Sequence, residues 1–435
     1  MTTPKPVQGR APSVSLPLRY LVAAAAAFVL VALGVPWLAR ELAGHYYHPR
    51  VVALAHTLTL GWITLTIMGA SYQLIPVVLE RPLWSERLAR WQFLVLAVGM
   101  AGMVAHFYLA TWPGLVMAAA MVTLGITTHA LNVGLSLRGL PRWSFTARLV
   151  AIALVGLALT ALFGLLLGAD RIWKFLPVAF FPTLHAHFHL ALLGWIAPMV
   201  IGVAARVYPM FLLAPEPHGW VGRVQLWGLA VGVPAVVLGL LAAPSLLRPG
   251  AVMVAAAVAG HAAWVVGIVR SRKRPALDWG LRFALTGTAF LAPATLMGLG
   301  FAFDLLSGPR AGLAYAVVVL GGWISLTIVG MMLKIVPFLV WYRLYAPRAG
   351  RAPVPTLAQL SWPGAEGLAY ALLGGGIPVL AIAARAGDPV WIGAAGGLVA
   401  LGALSFGAAL VRILRYLAPR SMRCESATPL GARAR

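Results

Sequence analysis

Long runs of hydrophobic residues follow one another along almost the whole chain, and short polar segments separate them. Each run is long enough, at roughly 18 residues or more, to cross the hydrocarbon core of a bilayer as a helix. Lipid offers no partner to a bare backbone, so we expect α-helices. The pattern predicts an all-α integral membrane protein with twelve transmembrane helices, at residues 17–39, 51–79, 88–111, 114–137, 146–168, 179–213, 221–243, 249–270, 280–304, 311–341, 364–384 and 390–415.

The predicted helices divide the chain into one membrane domain and two polar tails. We expect a cytoplasmic N-terminal tail at residues 1–16, a twelve-helix membrane domain at residues 17–416, and a cytoplasmic C-terminal tail at residues 417–435. The polar, basic start and the lack of a small-residue cleavage site after the first apolar run predict no cleavable signal peptide.

The composition agrees with this class of protein. Hydrophobic residues make up 61% of the chain and charged residues 10%, whereas a soluble protein carries roughly 25% charged residues. Cys424 is the only cysteine, which excludes intrachain disulfides, iron–sulfur clusters and thiolate zinc sites.

The net charge of +23 would suit a nucleic-acid-binding protein, but its distribution argues against one. With the N-terminus placed in the cytoplasm, seven of the 33 lysines and arginines fall on the outer side: Arg40, Arg50, Arg171, Lys174, Arg248, Arg310 and Arg385. This asymmetry follows the positive-inside rule and predicts that both termini are cytoplasmic. We therefore expect a multi-pass protein of the bacterial cytoplasmic (inner) membrane that contacts the lipid bilayer and no nucleic acid.

Three of the predicted helices share a motif of glycine, tryptophan and proline. Gly directly precedes Trp62, Trp195 and Trp323, another Gly follows each Trp after seven residues, and Pro follows after fourteen. The motifs fall in the second, sixth and tenth predicted helices. Close helix packing explains the glycines. The spacing predicts three pseudo-symmetric four-helix repeats, at about residues 17–137, 146–270 and 280–415.

Histidines occupy the same position before two of the three motifs. His56 and His189 each stand six residues before the motif tryptophan, and Val317 takes this place in the third repeat. A structural role would affect all three repeats alike, whereas a ligand role would not. Ionisable residues inside a membrane indicate function, and imidazole suits haem iron, copper and zinc. The sequence predicts that His56 and His189 bind a cofactor.

The sixth predicted helix also carries a cluster of histidines. His185, His187 and His189 stand within five residues of one another in an apolar segment. In an α-helix, His185 and His189 share one face, and His187 points to a different neighbour. We interpret the three as candidate metal ligands, since core filling does not explain such a density.

The other histidines have simpler explanations. His106 is expected to hydrogen-bond to a neighbouring helix. His45 and His48 lie among tyrosines and are expected at the aromatic belt of the membrane interface.

A polar residue stands eleven positions after each motif tryptophan: Gln73, Arg206 and Lys334. Two interpretations stay open, namely snorkelling to the inner interface and the lining of a proton or anion path. Carboxylates are scarce and lie near helix ends, as Glu80, Asp304 and Glu366 do, which argues against efficient proton pumping.

These features together resemble the catalytic subunit I of the haem–copper oxidases and nitric oxide reductases. The resemblance is carried by His56-Thr-Leu-Thr-Leu-Gly-Trp and His185-Ala-His-Phe-His-Leu-Ala-Leu-Leu-Gly-Trp, within a predicted bundle of twelve helices. The chain is also similar to the NnrS family of twelve-helix haem- and copper-containing proteins of the nitric oxide response.

The resemblance implies a ligand set that this chain fills only in part. It implies that His56 is the second-helix ligand of a low-spin haem and that the sixth-helix cluster holds copper. It further implies respiratory-chain subunits or a small electron-transfer protein as partners. The family's tenth-helix histidines are missing, since that helix offers Tyr315 and Val317, and near the seventh helix only His218 is found.

Three functions follow from these observations. The first is a haem- and/or copper-binding redox membrane protein that handles oxygen or nitric oxide or transfers electrons, as a divergent oxidoreductase. The second is a transporter or metal-handling protein that has lost the redox centre. The third is a non-catalytic assembly partner of a respiratory complex. An optical spectrum of the purified protein distinguishes the first from the others.

Overall fold

The fold of this protein consists of helices throughout the residues that the computed structural model describes, namely 13–78, 81–214, 219–273 and 276–418, which contain no β-strand. Twelve helices in these ranges are long and apolar enough to cross a membrane, which confirms the predicted class and number of spans. They are α1 (Ser15–Trp37), α2 (Pro49–Val77), α3 (Glu86–Tyr108), α4 (Trp112–Ser136), α5 (Phe145–Trp173), α6 (Phe180–Leu212), α7 (Trp220–Leu241), α8 (Pro244–Ser271), α9 (Trp279–Ala302), α10 (Pro309–Leu344), α11 (Pro363–Ala386) and α12 (Pro389–Leu417). Glu80, His218 and Cys424 lie outside the described residues.

Several of these helices begin at a side-chain cap. Ser85, Ser144, Asp278 and Asp388 each accept a hydrogen bond from a backbone N–H of the first turn, in α3, α5, α9 and α12 respectively. Such caps satisfy donors that the helix itself leaves unpaired.

The helices form a ring around three inner members. Helices that follow one another in the chain pack together, and α1 also packs against α12, which closes the ring. The inner helices α2, α6 and α10 are the most buried. In an apolar stretch of 18 residues, the buried share is 56%, 78% and 78% respectively, and it is at most 50% in every other span. These are the helices that carry the Gly-Trp motif.

Each inner helix changes from α to π geometry at its motif. The π segments are Thr57–Thr64, Leu190–Ile196 and Val317–Ser325, and each contains a motif tryptophan. The sequence did not predict this change. Short π segments inside α-helices often mark functional sites, so their place next to His56 and His189 directs attention to that region.

The motif glycines bring each inner helix against the first helix of its own predicted repeat. A Cβ atom on any of them would lie within ordinary contact distance of that helix or closer. The glycines after the tryptophan approach Tyr20, Leu149 and Phe283, and those before it approach Ala27, Gly156 and Phe290. On each of α1, α5 and α9, the two residues approached in this way are seven positions apart in the sequence. Equal contacts of this kind are what a threefold repeat would produce, while the repeat itself stays a prediction.

Hydrogen bonds from indole N–H groups link the inner helices to one another. They run from Trp62 Nε1 to Ser325 Oγ at 3.0 Å and from Trp195 Nε1 to Thr64 Oγ1 at 3.4 Å. Both acceptors stand two residues after a motif tryptophan of another inner helix. The same relation would pair Trp323 with Ala197, which has no hydroxyl group.

Candidate functional site

A large cavity of about 820 Å³ lies among helices α2 to α10. Its wall is mainly apolar and includes none of the described residues of α1, α11 or α12. Ligand pockets in proteins typically measure about 300–1,000 Å³, so the volume suits a sizeable ligand. Four histidines of α2 and α6 contribute to the wall: His56, His185, His187 and His189.

One part of the cavity, which we call the first gap, is lined by His56, Phe107, Gly164 and His187, from α2, α3, α5 and α6. The His56 ring stacks on Phe107 with centroids 4.8 Å apart. His187 lies against Gly164, where a Cβ would stand 3.0 Å from the imidazole Cε1. The first gap is thus lined by two imidazoles from different inner helices, α2 and α6.

The orientation of His56 and His189 is fixed in the same way. Nδ1 of His56 lies 2.9 Å from the carbonyl oxygen of Val52, and Nδ1 of His189 lies 2.8 Å from that of His185. A carbonyl can only accept, so each Nδ1 carries the proton and each neutral ring keeps a lone pair on Nε2. Neither Nε2 has a hydrogen-bond partner among the described residues. Metal-binding histidines are commonly held by such a backbone contact.

A second part of the cavity, which we call the second gap, is lined by His189, Gly298 and Tyr315, from α6, α9 and α10. The rings of His189 and Tyr315 are nearly parallel, with centroids 6.3 Å apart and an interplanar angle of 25°. Phe188 and Phe301 pack edge-on against Tyr315. The phenol oxygen lies over Gly298, 3.5 Å from where a Cβ would stand.

The two gaps use the same positions of the repeated motif. Each pairs the residue six places before the tryptophan of one inner helix with the residue eight places before the tryptophan of the next. These pairs are His56 with His187, His189 with Tyr315, and, for the third combination, Val317 with Leu54. The third pair is apolar and lies outside the cavity wall. Leu54 packs against Gly34 of α1, where a Cβ would stand 2.7 Å from the Leu54 side chain.

The segment before α2 covers the cavity at its predicted outer end. Tyr46 Oη lies 3.0 Å from His185 Nε2, and Arg171 Nη2 donates to Tyr47 Oη at 2.5 Å. The Arg171 guanidinium also lies over the ring of Trp112, 4.4 Å from its centroid. Burial raises the pKa of the Tyr46 phenol, which keeps it neutral. Burial also raises the pKa of Tyr47, and the neighbouring Arg171 opposes this shift.

The three α6 histidines face three different surroundings. His185 contacts Tyr46, His187 lines the first gap, and His189 lines the second. Within the described ranges, no three His, Cys, Asp or Glu side chains stand where they could hold one metal ion. The geometry thus agrees with the expectation that His187 has a neighbour of its own, but it lends no support to one metal bound by all three.

The residues of the predicted polar path have different settings. Gln73 is buried, and its Oε1 has no partner among the described residues. Lys334 Nζ lies 2.5 Å from Asp278 Oδ2 and also above the ring of Phe211. Arg206 is engaged in an interaction as well. A path through these side chains stays a prediction.

The remaining histidines lie apart from the pairs. His106 Nδ1 lies 2.7 Å from Thr111 Oγ1 at the end of α3, where the side chain is half-buried. His45 Nδ1 accepts from the backbone N–H of Tyr47. His129 and His261 are fully buried, and Nδ1 of each lacks a partner within the described residues.

Sequence reasoning found His56 and His189 but missed the residues they face. Tyr315 was noted only as a substitute for a missing histidine, and His187 was grouped with its neighbours on α6. The signal was present in the sequence, because His187 and Tyr315 both stand eight residues before a motif tryptophan. Pairing them required knowledge of which inner helices are adjacent.

Comparison with known proteins gives one distant relationship. No family model matches the chain. The chain is 30% identical over 139 residues to quinol oxidase subunit 1 of Sulfolobus acidocaldarius, a match that covers 30% of this chain and 26% of that protein. The match thus spans about a quarter of the relative's length. It supports a distant relationship to the haem–copper oxidases and suggests a redox membrane protein.

Proposed function

We propose that the protein is a haem-binding redox protein of the bacterial cytoplasmic membrane, distantly related to subunit I of the haem–copper oxidases. The observation that carries this proposal is that His56 of α2 and His187 of α6 both line one mainly apolar cavity. His56 and His189, the two ligands expected from the sequence, each keep Nε2 without a partner among the described residues beside an apolar cavity. Unpartnered imidazoles in such surroundings cost free energy unless something binds them.

The first gap suits a haem by several independent features. Two imidazoles come from different helices, and the wall is mainly apolar. Phe107 supports the face of His56, and Gly164 leaves room beside His187. His56 and His187 would hold the iron, which supplies one-electron redox chemistry when bound. The apolar wall would exclude water and so tune the potential.

An optical spectrum with metal analysis tests this proposal. The purified wild-type protein is expected to show a haem Soret band, and His56→Ala and His187→Ala are each expected to lose haem or its low-spin character. His106→Ala is the matched control, because His106 contacts Thr111 and does not line the cavity. Full retention of wild-type haem content and spectrum by both cavity variants would contradict the ligand assignment. A wild-type protein without haem would favour the transporter or assembly-partner function.

A quinol is the electron donor that the observations favour. The cavity is mainly apolar and lies between membrane helices, and the matched relative is a quinol oxidase subunit. We propose that a lipid-soluble quinol reaches the cavity from the bilayer and reduces the cofactor. Anaerobic addition of a short-chain quinol should reduce the haem, and an unchanged oxidised spectrum would favour a small electron-transfer protein or respiratory subunit as the donor instead.

A further inference from the structure

We infer that the second gap binds the head group of the proposed quinol, and that Nε2 of His189 recognises the reduced form of this ligand by accepting a hydrogen bond from its hydroxyl group. The inference rests on the proposed function, which supplies the quinol. It deepens that function by naming the part of the cavity where the ring binds and the residues that hold it. The binding step itself moves no electron and no proton.

The first argument is the setting of the two polar groups in this gap. Nε2 of His189 has no partner among the described residues. Tyr315 is 8% exposed and makes no hydrogen bond through Oη within the same residues, although a buried phenol usually finds a partner. Both side chains line the cavity, and their rings are nearly parallel with centroids 6.3 Å apart. A nitrogen and an oxygen are thus available to a ligand in one part of the cavity.

The second argument is the chemistry of the surrounding wall. Phe188 and Phe301 pack edge-on against Tyr315. On the wall that the described residues of α7, α8 and α9 contribute, Thr295 is the only polar side chain, and its hydroxyl donates to a carbonyl of its own helix at 2.7 Å. Apart from histidines, the one ionisable cation or acid in the described wall is Arg171, at the predicted outer end. Aromatic and aliphatic sides with few polar groups suit a neutral ring.

The third argument is the position of the proton on His189. Its Nδ1 lies 2.8 Å from the carbonyl oxygen of His185, which can only accept, so Nε2 carries a lone pair and no hydrogen. Such a nitrogen accepts from the O–H group of a quinol. It cannot donate to the carbonyl oxygen of a quinone, which would place two acceptors against each other. The gap therefore favours the quinol and releases the quinone more readily.

The phenol of Tyr315 complements this selective contact. A phenol both donates and accepts, so its hydroxyl fits the oxygen of either form of the ligand. The first gap has imidazole at both of the motif positions concerned, in His56 and His187, whereas the second gap has one imidazole and one hydroxyl. The two gaps thus offer different atoms and suit different ligands, a haem in the first and a hydroxyl-bearing ring in the second.

Equilibrium dialysis of the purified full-length protein in detergent tests the inference. A short-chain quinol is measured without oxygen and with the haem reduced beforehand, so that the ligand stays reduced, and the matching quinone is measured with the haem oxidised. The wild-type protein is expected to bind the quinol at least about tenfold more tightly than the quinone. His189→Leu should weaken quinol binding about tenfold without weakening quinone binding, which removes the preference.

Three further variants make the result specific. Tyr315→Phe should weaken the binding of both forms by roughly three- to tenfold. His189→Gln offers both a donor and an acceptor, so it should bind both forms with little preference. Tyr46→Phe is the matched control for the phenol, because Tyr46 also lines the cavity but contacts His185, and it should keep both affinities. Wild-type haem spectra in these variants would show that they are folded.

His56→Ala separates this inference from the proposed function. It is expected to lose haem and to keep the wild-type affinity for the quinol, whereas a loss of quinol binding together with haem would overturn the placement in the second gap. Equal quinol affinities of the wild-type and His189→Leu proteins would also overturn the inference, whatever the haem content. So would a wild-type protein that binds neither form, or that binds the quinone as tightly as the quinol.

Discussion

Removal of the Ser325 hydroxyl should destabilise the contact between two inner helices. Ser325 Oγ accepts from Trp62 Nε1 at 3.0 Å and donates to the carbonyl of Leu320 at 2.6 Å. Trp62 is fully buried and Ser325 is 1% exposed, so Ser325→Ala leaves a buried indole N–H without a partner. An orphaned donor costs about 1–3 kcal/mol in soluble proteins. Side-chain hydrogen bonds between membrane helices average about 0.6 kcal/mol, with a maximum near 1.7. Because both partners are buried, we expect a loss of about 1–1.5 kcal/mol, near the upper end of the membrane range.

Reversible unfolding in mixed detergent micelles measures this loss as a change in the free energy of unfolding. Ser271→Ala is the matched control, because its hydroxyl is exposed and contacts only carbonyls of its own helix. A Ser325→Ala protein as stable as the Ser271→Ala protein would refute the claim that the indole bond contributes to helix association.

The two equivalent acceptor positions on the other inner helices, Thr64 and Ala197, are expected to differ from Ser325 in their contribution to the free energy of unfolding. Thr64→Val should cost less than Ser325→Ala, because the bond from Trp195 to Thr64 is longer, at 3.4 Å. Ala197→Ser should supply the acceptor that Trp323 lacks at this position, with a gain of up to about 1 kcal/mol if the hydroxyl is accommodated. A larger loss for Thr64→Val than for Ser325→Ala would contradict the link between distance and strength.

Two further predictions concern the first gap and the topology. Gly164→Ala should lower the haem content, because the added Cβ would stand 3.0 Å from the His187 ring. Gly168→Ala is the control and should retain haem, because a Cβ there would have no atom within 4 Å. Equal haem contents in the two variants would argue against His187 as a ligand. Reporter fusions after residue 270 should read cytoplasmic and fusions after residue 310 external, as the charge asymmetry requires, and the reverse readings would invert the assignment.

The twelve spans were predictable because the bilayer imposes a severe constraint on sequence. A chain that crosses lipid must satisfy its backbone internally and bury few charges, so long apolar runs mark the helices. The π segments were not predictable. A π turn differs from an α turn by a single residue, and the motif keeps its tryptophan and glycine spacing in either geometry.

The candidate site was predictable in its residues but not in its pairs. His56 and His189 could be named from the sequence because each stands six residues before a motif tryptophan. Which ring each one faces depends on the order of the inner helices around the bundle and on the direction of each side chain. His187 and His189 are two residues apart, yet they line different gaps, since such residues lie on different sides of a helix.

The apolar third pair gives a physical reason for the incomplete ligand set. Val317 and Leu54 both lie outside the wall of the cavity, which includes none of the described residues of α1, α11 or α12. Val317 is partly buried and packs against the apolar core. A buried imidazole without a ligand or a partner would cost free energy. We therefore expect a cofactor only where histidines of the inner helices line the cavity, on α2 and α6.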